Sequence, residues 1–202
     1  VTNALAPGFY DVPPGMVATV VTHLEMTQPP APRPAPGGAP EVTILPAIDA
    51  ATYRRLFARV GAQDWLWFSR MQMDDTALHA ILDHEDVLVA TMMVDEQPEA
   101  LLELNFREPG QCELAFFGVA PVLIGTGAGR TLMNTAIDLA WQRDITRFHL
   151  HTCTLDHPTA LSFYRRSGFT PTRQQVEIAP DPRLSGVLPL DAGPHIPMFP
   201  ES

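Results

Sequence analysis

Lysine is absent from this 202-residue chain, whose 13 basic residues are all arginine. Against them stand 23 acidic residues, for a formal net charge of −10. No run of basic residues occurs, so nothing offsets the repulsion such a surface exerts on a phosphate backbone or an anionic membrane. Nucleic acid and membranes are therefore not expected partners, and an amine or other cationic substrate is favoured. Cysteine is scarce as well. Cys112 and Cys153 are too few for a disulfide framework in a chain this long, and they read as buried thiols of a cytosolic protein. No apolar run approaches the roughly 18 residues of a spanning helix. The opening VTNALAPGFYDVPPG has no basic region followed by an apolar stretch, so a signal peptide is not expected and the expected location is the cytoplasm. Internal repeats are missing too.

What is present suits one folded core. The chain is 46% hydrophobic and 18% charged, a balance that separates it from disordered sequences. Its 21 prolines cluster at two places. Residues 27–40, TQPPAPRPAPGGAP, lose backbone donors at six positions and favour an extended, solvated linker. Residues 179–202 carry six more prolines, which exclude a regular helix, together with Ile196, Met198 and Phe199 for wrapping the core or covering a cleft. The expected organisation is an N-terminal strand and Pro-rich linker over 1–40, a compact domain over 41–178, and a Pro-rich tail packing on it over 179–202.

Periodicity orders the elements. MVATVVTHLEM, residues 16–26, is β-branched and reads as a strand that can dock on the domain across the linker. Glu41–Leu45 reads as a short strand. Asp49 caps a predicted helix with Tyr53, Leu56, Phe57 and Val60 on its inward face, and Asp74 or Asp75 caps a second through Leu78, Ile81 and Leu82. Val87–Val94, Ala100–Phe106 and Glu113–Val119 read as antiparallel strands, the last two joined at the Pro109-Gly110 turn. A long helix from the corner at Gly125–Arg130, a strand at Phe148–Thr154, a helix at Pro158–Ser167 and a strand at Pro171–Ile178 complete the order. The expected fold class is α/β (α+β), a mixed, mostly antiparallel central sheet flanked by helices. The long helix must cross between neighbouring strands, which places a parallel pair in the sheet.

The most informative segment is PVLIGTGAGRTLM, residues 121–133. Gly125, Gly127 and Gly129 leave the backbone bare at alternate positions where a helix begins. Amides at a helix N-terminus point outward and carry the positive end of the dipole, so they can hold a phosphate or diphosphate without a lysine. Arg130 can add a charged fork. A nucleotide-binding P-loop is excluded, because it needs Gly-Lys-Ser or Gly-Lys-Thr and Gly129 is followed by Arg130. The spacing Gly125-Thr126-Gly127-Ala128-Gly129 also departs from the dinucleotide pattern. A plain strand-to-helix turn is the alternative.

Val119, Pro121, Gly125, Gly127, Gly129 and Leu132 resemble the acyl-CoA binding segment of the GCN5-related N-acetyltransferases (GNAT). Downstream, HPTALSFYRRSGF, residues 157–169, is similar to that family's closing signature through Ala160, Phe163, Tyr164, Gly168 and Phe169. The resemblance covers the region from Glu41 to Ile178. It implies the acyl-CoA N-acyltransferase fold and transfer of an acetyl group from acetyl-CoA to a small-molecule or peptide amine, in a monomer or homodimer. The alternative is a CoA-binding or regulatory module without turnover. The implied cofactor contacts are Val119, Ile124, Gly125, Thr126, Gly127, Ala128, Gly129, Arg130, His157, Ala160 and Phe163. Two positions depart from the family: Ile124 stands where Arg or Gln is usual, and His157 where Asn is common.

Acyl transfer to an amine requires a neutral amine, a polarised carbonyl and a proton for the departing thiolate. The resemblance implies that Tyr164 supplies that proton; the same phenol on an apolar helix face also suits simple packing. It likewise implies Glu113 as general base, working directly or through water, against a reading as a solvated or ion-paired edge carboxylate. Glu103 is the reserve base, and Asp156 and His157 form a pair that suits either chemistry or a helix cap. The resemblance further implies a bulge or splay beside Gly118-Val119 that admits the thioester between two parallel strands. His149, His151 and Cys153 share one face of a strand, but His157 falls beyond its end, so no metal site is assigned. Trp65, Trp67 and Phe68 either line an acceptor pocket or pin a helix to the sheet.

Overall fold

The computed structural model describes residues 5–31, 33–35 and 37–200. In chain order the elements are β1 (Met16–Met26), β2 (Val42–Leu45), α1 (Ala50–Phe57), α2 (Gln63–Trp65), α3 (Asp75–Leu82), β3 (Val87–Val94), β4 (Gln97–Pro98), β5 (Ala100–Asn105), β6 (Gln111–Val119), α4 (Ala128–Trp141), β7 (Arg147–Cys153), α5 (Ala160–Arg166) and β8 (Thr170–Pro180). Caps start the helices as the sequence suggests. Asp49 accepts from the Thr52 amide and Asp74 from the Ala77 amide.

The first helical run extends further than its apolar spacing predicts. A π-helical stretch, Ala58–Ala62, joins α1 to α2, and the run stops only at Leu66, which adopts φ 54°. Gly61 lies within this stretch: a Cβ there would lie 2.1 Å from the Trp67 indole, so the ring occupies the space that a side chain would fill.

The sheet runs β2-β3-β5-β6-β7-β1-β8, with β4 pairing β3, and every pair is antiparallel except β6–β7. This is the mixed, mostly antiparallel sheet expected, covered by helices. β1 is an interior strand, hydrogen-bonded to β7 on one side and to β8 on the other. One hydrophobic cluster packs α4 and α5 against β5, β6 and β7, centred on Leu102, Leu104, Leu132, Met133 and Phe148. A second packs α1 and α3 on the other face through Tyr53, Phe57, Leu78 and Leu101.

The linker and tail are tied down. Asn134 donates to the Arg33 carbonyl at 2.7 Å and Arg130 to that of Pro34 at 3.3 Å, laying the Pro-rich segment over α4. The tail forms turns and buries Leu188 and Ala192 in the second cluster. At its base Arg183 and Asp181 form a buried ion pair at 2.7 Å, and the same guanidinium donates to the carbonyls of Ala192, Gly193, Ile196 and Pro197. Among the described residues no helix is long and apolar enough to cross a membrane.

Candidate active site

The two parallel strands separate part-way along their length. β6 and β7 pair at Gln111/Arg147, Cys112/Phe148 and Glu113/His149, and no further, although β6 continues to Val119 and β7 to Cys153. The cause is local. Opposite β5 the register jumps from Glu103/Phe116 to Leu104/Leu114, so Ala115 is an extra residue in β6. A bulge bends its strand, and here β6 stays paired with β5 as far as Val119. β7 meanwhile stays paired with β1 as far as Cys153. The sheet therefore opens into a V with Glu113 at its apex.

One cavity, of about 330 Å³, lies at the mouth of this V beside the glycine corner. Val119, Ile124, Gly125, Gly127, Gly129, His157, Ala160 and Phe163 all line it. Gly125 and Gly127 have φ of 82° and 88°, the left-handed region that glycine enters without cost. Among the described residues the amides of Gly125, Gly127 and Gly129 donate to no backbone carbonyl. These alternate donors at the start of α4 fit a diphosphate. Three residues of the segment face elsewhere. Ala128 is buried in the core, the Thr126 hydroxyl donates to the Leu123 carbonyl at 2.8 Å, and Arg130 reaches the linker at Pro34.

A second cavity, of about 390 Å³, lies on the other side of the opening. Aromatic side chains of Trp65, Trp67, Phe68, Phe116 and Phe117 wall it, Glu113, Asp156 and Glu177 bring carboxylates, and Arg107 and the Glu103-paired Arg70 bring guanidinium groups. The two cavities share Trp65, Trp67, Phe117, Asp156 and Tyr164. They meet where the strands part.

Tyr164 sits at that junction on α5, packed edge-on against Phe117 and Phe169. Burial, and then the neighbouring Asp156 carboxylate, push its phenol well above the ordinary tyrosine range. It stays protonated. Its hydroxyl makes no hydrogen bond among the described residues, so its proton is free for a ligand. Glu113 is held by Asn105 at 3.3 Å and faces the second cavity. Glu103 is different. It is fully buried, accepting from Arg70 at 2.6 Å and from the Tyr53 hydroxyl, and it lines neither cavity.

The Asp156-His157 pair divides its work. His157 Nδ1 accepts from the Thr159 amide at 3.2 Å, in the turn that leads into α5. Asp156 accepts from the Cys153 amide and the Thr152 hydroxyl at the end of β7, and from Trp67 Nε1 at 2.9 Å. Its sequence neighbourhood does not announce this bond to Trp67, whose partner lies 89 residues away. Trp65 and Trp67 line both cavities and Phe68 the second, while Trp67 also packs against Phe57 of α1 and Phe116 of β6. Replacing Gly61 with alanine is expected to displace Trp67 and to cost about 1–3 kcal/mol, as overpacking does, read by urea denaturation.

Val17 and Thr19 from β1, and Glu177 and Ala179 from β8, line the second cavity although they lie at opposite ends of the chain. The signal in the sequence is the odd-numbered buried face of β1, Val17, Thr19 and Val21. His151 and Cys153 face the same cavity, and among the described residues no three His, Cys, Asp or Glu side chains are arranged to hold a metal ion.

A family model described as "Acetyltransferase (GNAT) family" matches residues 45–169. The chain belongs to the GNAT acetyltransferase family. The match spans α1 to α5 and both segments around the first cavity, while β1 and β8 lie outside it. Solved structures agree in fold. A putative GNAT-family acetyltransferase from Novosphingobium aromaticivorans is 16% identical, covering 84% of this chain and 69% of its own, with TM-score 0.55. A GCN5-related N-acetyltransferase from Sphaerobacter thermophilus is 18% identical over 83% of this chain, TM-score 0.52. The GNAT chain described here spans only 52% of that protein's length. An aminoglycoside acetyltransferase from an uncultured soil metagenomic sample is 15% identical, covering 68% of this chain and 92% of its own, with TM-score 0.54. The sequence matches no curated protein.

Proposed function

We propose that this GNAT protein transfers an acetyl group from acetyl-CoA directly to an amine bound in the second cavity. The observation that carries this reading is the meeting of two cavities at the strand opening, with Tyr164 on their shared wall. The amides of Gly125, Gly127 and Gly129 would hold the diphosphate, and Ala160 and Phe163 would flank the pantetheine arm. Acetyl-CoA supplies a thioester carbon open to attack. Glu113 takes a proton from the incoming ammonium, directly or through one water, which frees the nitrogen lone pair. The nitrogen attacks the thioester carbon to form the carbon–nitrogen bond, Tyr164 gives its proton to the sulfur as the carbon–sulfur bond breaks, and the surplus proton on the nitrogen returns through water to the phenolate. The aromatic walls and the carboxylates of Glu113, Asp156 and Glu177 suit a cationic amine on an apolar stem.

The test is release of free CoA from acetyl-CoA across a panel of amines, with direct binding of CoA measured in parallel. Amine-dependent release supports the reading. Tight CoA binding with no release for any amine favours a binding module instead.

Gly129 offers a sharper check. Apart from its chain neighbours and the helix's own backbone, no atom lies within 4 Å of the place where its Cβ would stand. Gly129→Ala should therefore leave stability unchanged, or raise it by up to about 1 kcal/mol through unfolded-state entropy. The added methyl would stand against the ligand, so the same variant should bind CoA more weakly. A calorimetric titration alongside thermal melting separates the two effects.

A further inference from the structure

β8, eleven residues long, is an outer strand of the sheet, and among the described residues no strand pairs with its free side. The opposite edge, β2, has four residues and is bracketed by Pro40 and Pro46. β8 has proline only near its ends, at 171 and 180, so Thr172–Ala179 is an uninterrupted template for another strand.

The direction of its free hydrogen-bonding groups follows from β1. The Thr154 amide donates to the Val20 carbonyl, and the Val20 amide to Thr154 Oγ1, each at 3.1 Å, so the peptide groups of Val20 point toward β7. Val20 stands opposite Val176. Because these groups alternate along a strand, Val176 turns its N–H and C=O away from β1, and Gln174 and Ile178 do the same.

The side chains carry a matching symmetry. Arg173 and Glu177 lie two residues on either side of Gln175, on one face of the strand. Neither has a salt-bridge partner among the described residues. Four residues of strand, about 13 Å, separate them, so they cannot pair within one chain. Two antiparallel copies of β8 centred on Gln175 place each Arg173 opposite the other copy's Glu177. The same register sets outward-facing Gln174 against outward-facing Val176, so the backbone ladder closes as well. A slip of one residue breaks the ladder, and a slip of two loses both ion pairs. On the other face Val176, Ile178 and Val20 are 53%, 45% and 38% exposed, an apolar stripe that the joined sheet would continue.

We propose that this chain forms a two-fold homodimer through antiparallel pairing of β8 with β8 of a second copy, centred on Gln175. Glu177 lines the second cavity. Pairing therefore brings Arg173 of one copy to the rim of the other copy's cavity. This proposal does not depend on the acetyl-transfer reading.

Sedimentation velocity at tens of micromolar tests it. The unmodified chain is expected to be a dimer. Arg173→Glu and Glu177→Arg each bring like charges together twice, so each variant alone should dissociate about tenfold more readily or worse. Mixed in equal amounts, these two variants should form a heterodimer, because every cross-copy contact again joins opposite charges. Val176→Pro, which removes an outward donor, should yield monomers without disturbing the β1 ladder. Circular dichroism confirms that each variant is folded. A monomeric unmodified chain would overturn the proposal. So would a dimer indifferent to all three substitutions, or single variants whose mixture stays monomeric.

Discussion

Replacing Tyr164 with phenylalanine is expected to lower kcat by about 10²- to 10⁴-fold, the usual worth of one positioned proton donor. The affinity for CoA should be preserved, because the ring keeps its contacts with Phe117 and Phe169 and only the hydroxyl is lost. A fall in kcat with unchanged CoA binding marks an interaction made during the reaction and not before it. Stability separates this from packing. The hydroxyl makes no hydrogen bond among the described residues, so its removal should leave the melting temperature nearly unchanged. The pH profile adds a second readout. Burial and the Asp156 carboxylate raise the phenol above its ordinary value of 10.0, so the proton remains in place through the assay range. The wild-type rate should therefore show no alkaline limb from this group below about pH 10. Wild-type turnover in the Tyr164→Phe protein would assign the proton to another donor.

Arg183→Ala is expected to destabilise the fold by about 3–5 kcal/mol, the cost of leaving one member of a buried pair alone. The two side chains are 2% and 1% exposed, so water cannot replace the lost partner at Asp181. Four tail carbonyls lose their donor as well. At about 2–4 °C per kcal/mol for a chain of this size, the melting temperature should fall by roughly 6–20 °C. Hydrogen bonds from Arg183 hold the Asp181 carboxyl below its ordinary value of 3.8. A depressed carboxylate stabilises the fold above its unfolded value and loses that contribution as pH falls through the folded one. Acid should thus weaken the wild type below about pH 4 through this pair, and Arg183→Ala should abolish that part of the dependence. The tail also holds Trp65, which walls the second cavity as well as the first, since His195 packs edge-on against it and the Gly193 amide donates to the Gln63 carbonyl. Weaker acceptor binding should accompany the loss of stability.

Local chemistry was legible in the sequence wherever neighbours along the chain decide the outcome. Asp49 and Asp74 announce helix starts because a cap acts within one turn. Gly125, Gly127 and Gly129 mark a bare helix entrance because positive φ and free amides are properties of the backbone there. Tyr164 falls on the turn after Ala160 by helical spacing alone. The close approach of the Trp67 ring to Gly61 was not legible, because it depends on how the chain turns back after Leu66. Glu103 and Glu113 look alike as strand carboxylates. Only packing distinguishes them, enclosing one beneath Arg70 and Tyr53 and leaving the other at the apex of the V.

By itself the sequence determined the order of strands and helices, the glycine entrance to α4 and the phenol on α5, since each depends on a few consecutive residues. Tertiary structure alone decided that β1 lies between β7 and β8, that Ala115 bulges so β6 parts from β7, and that Asp156 grips Trp67. Those features arise from pairing between distant segments, where the hydrogen-bonding partner is chosen by competition across the whole sheet and no local pattern records the winner.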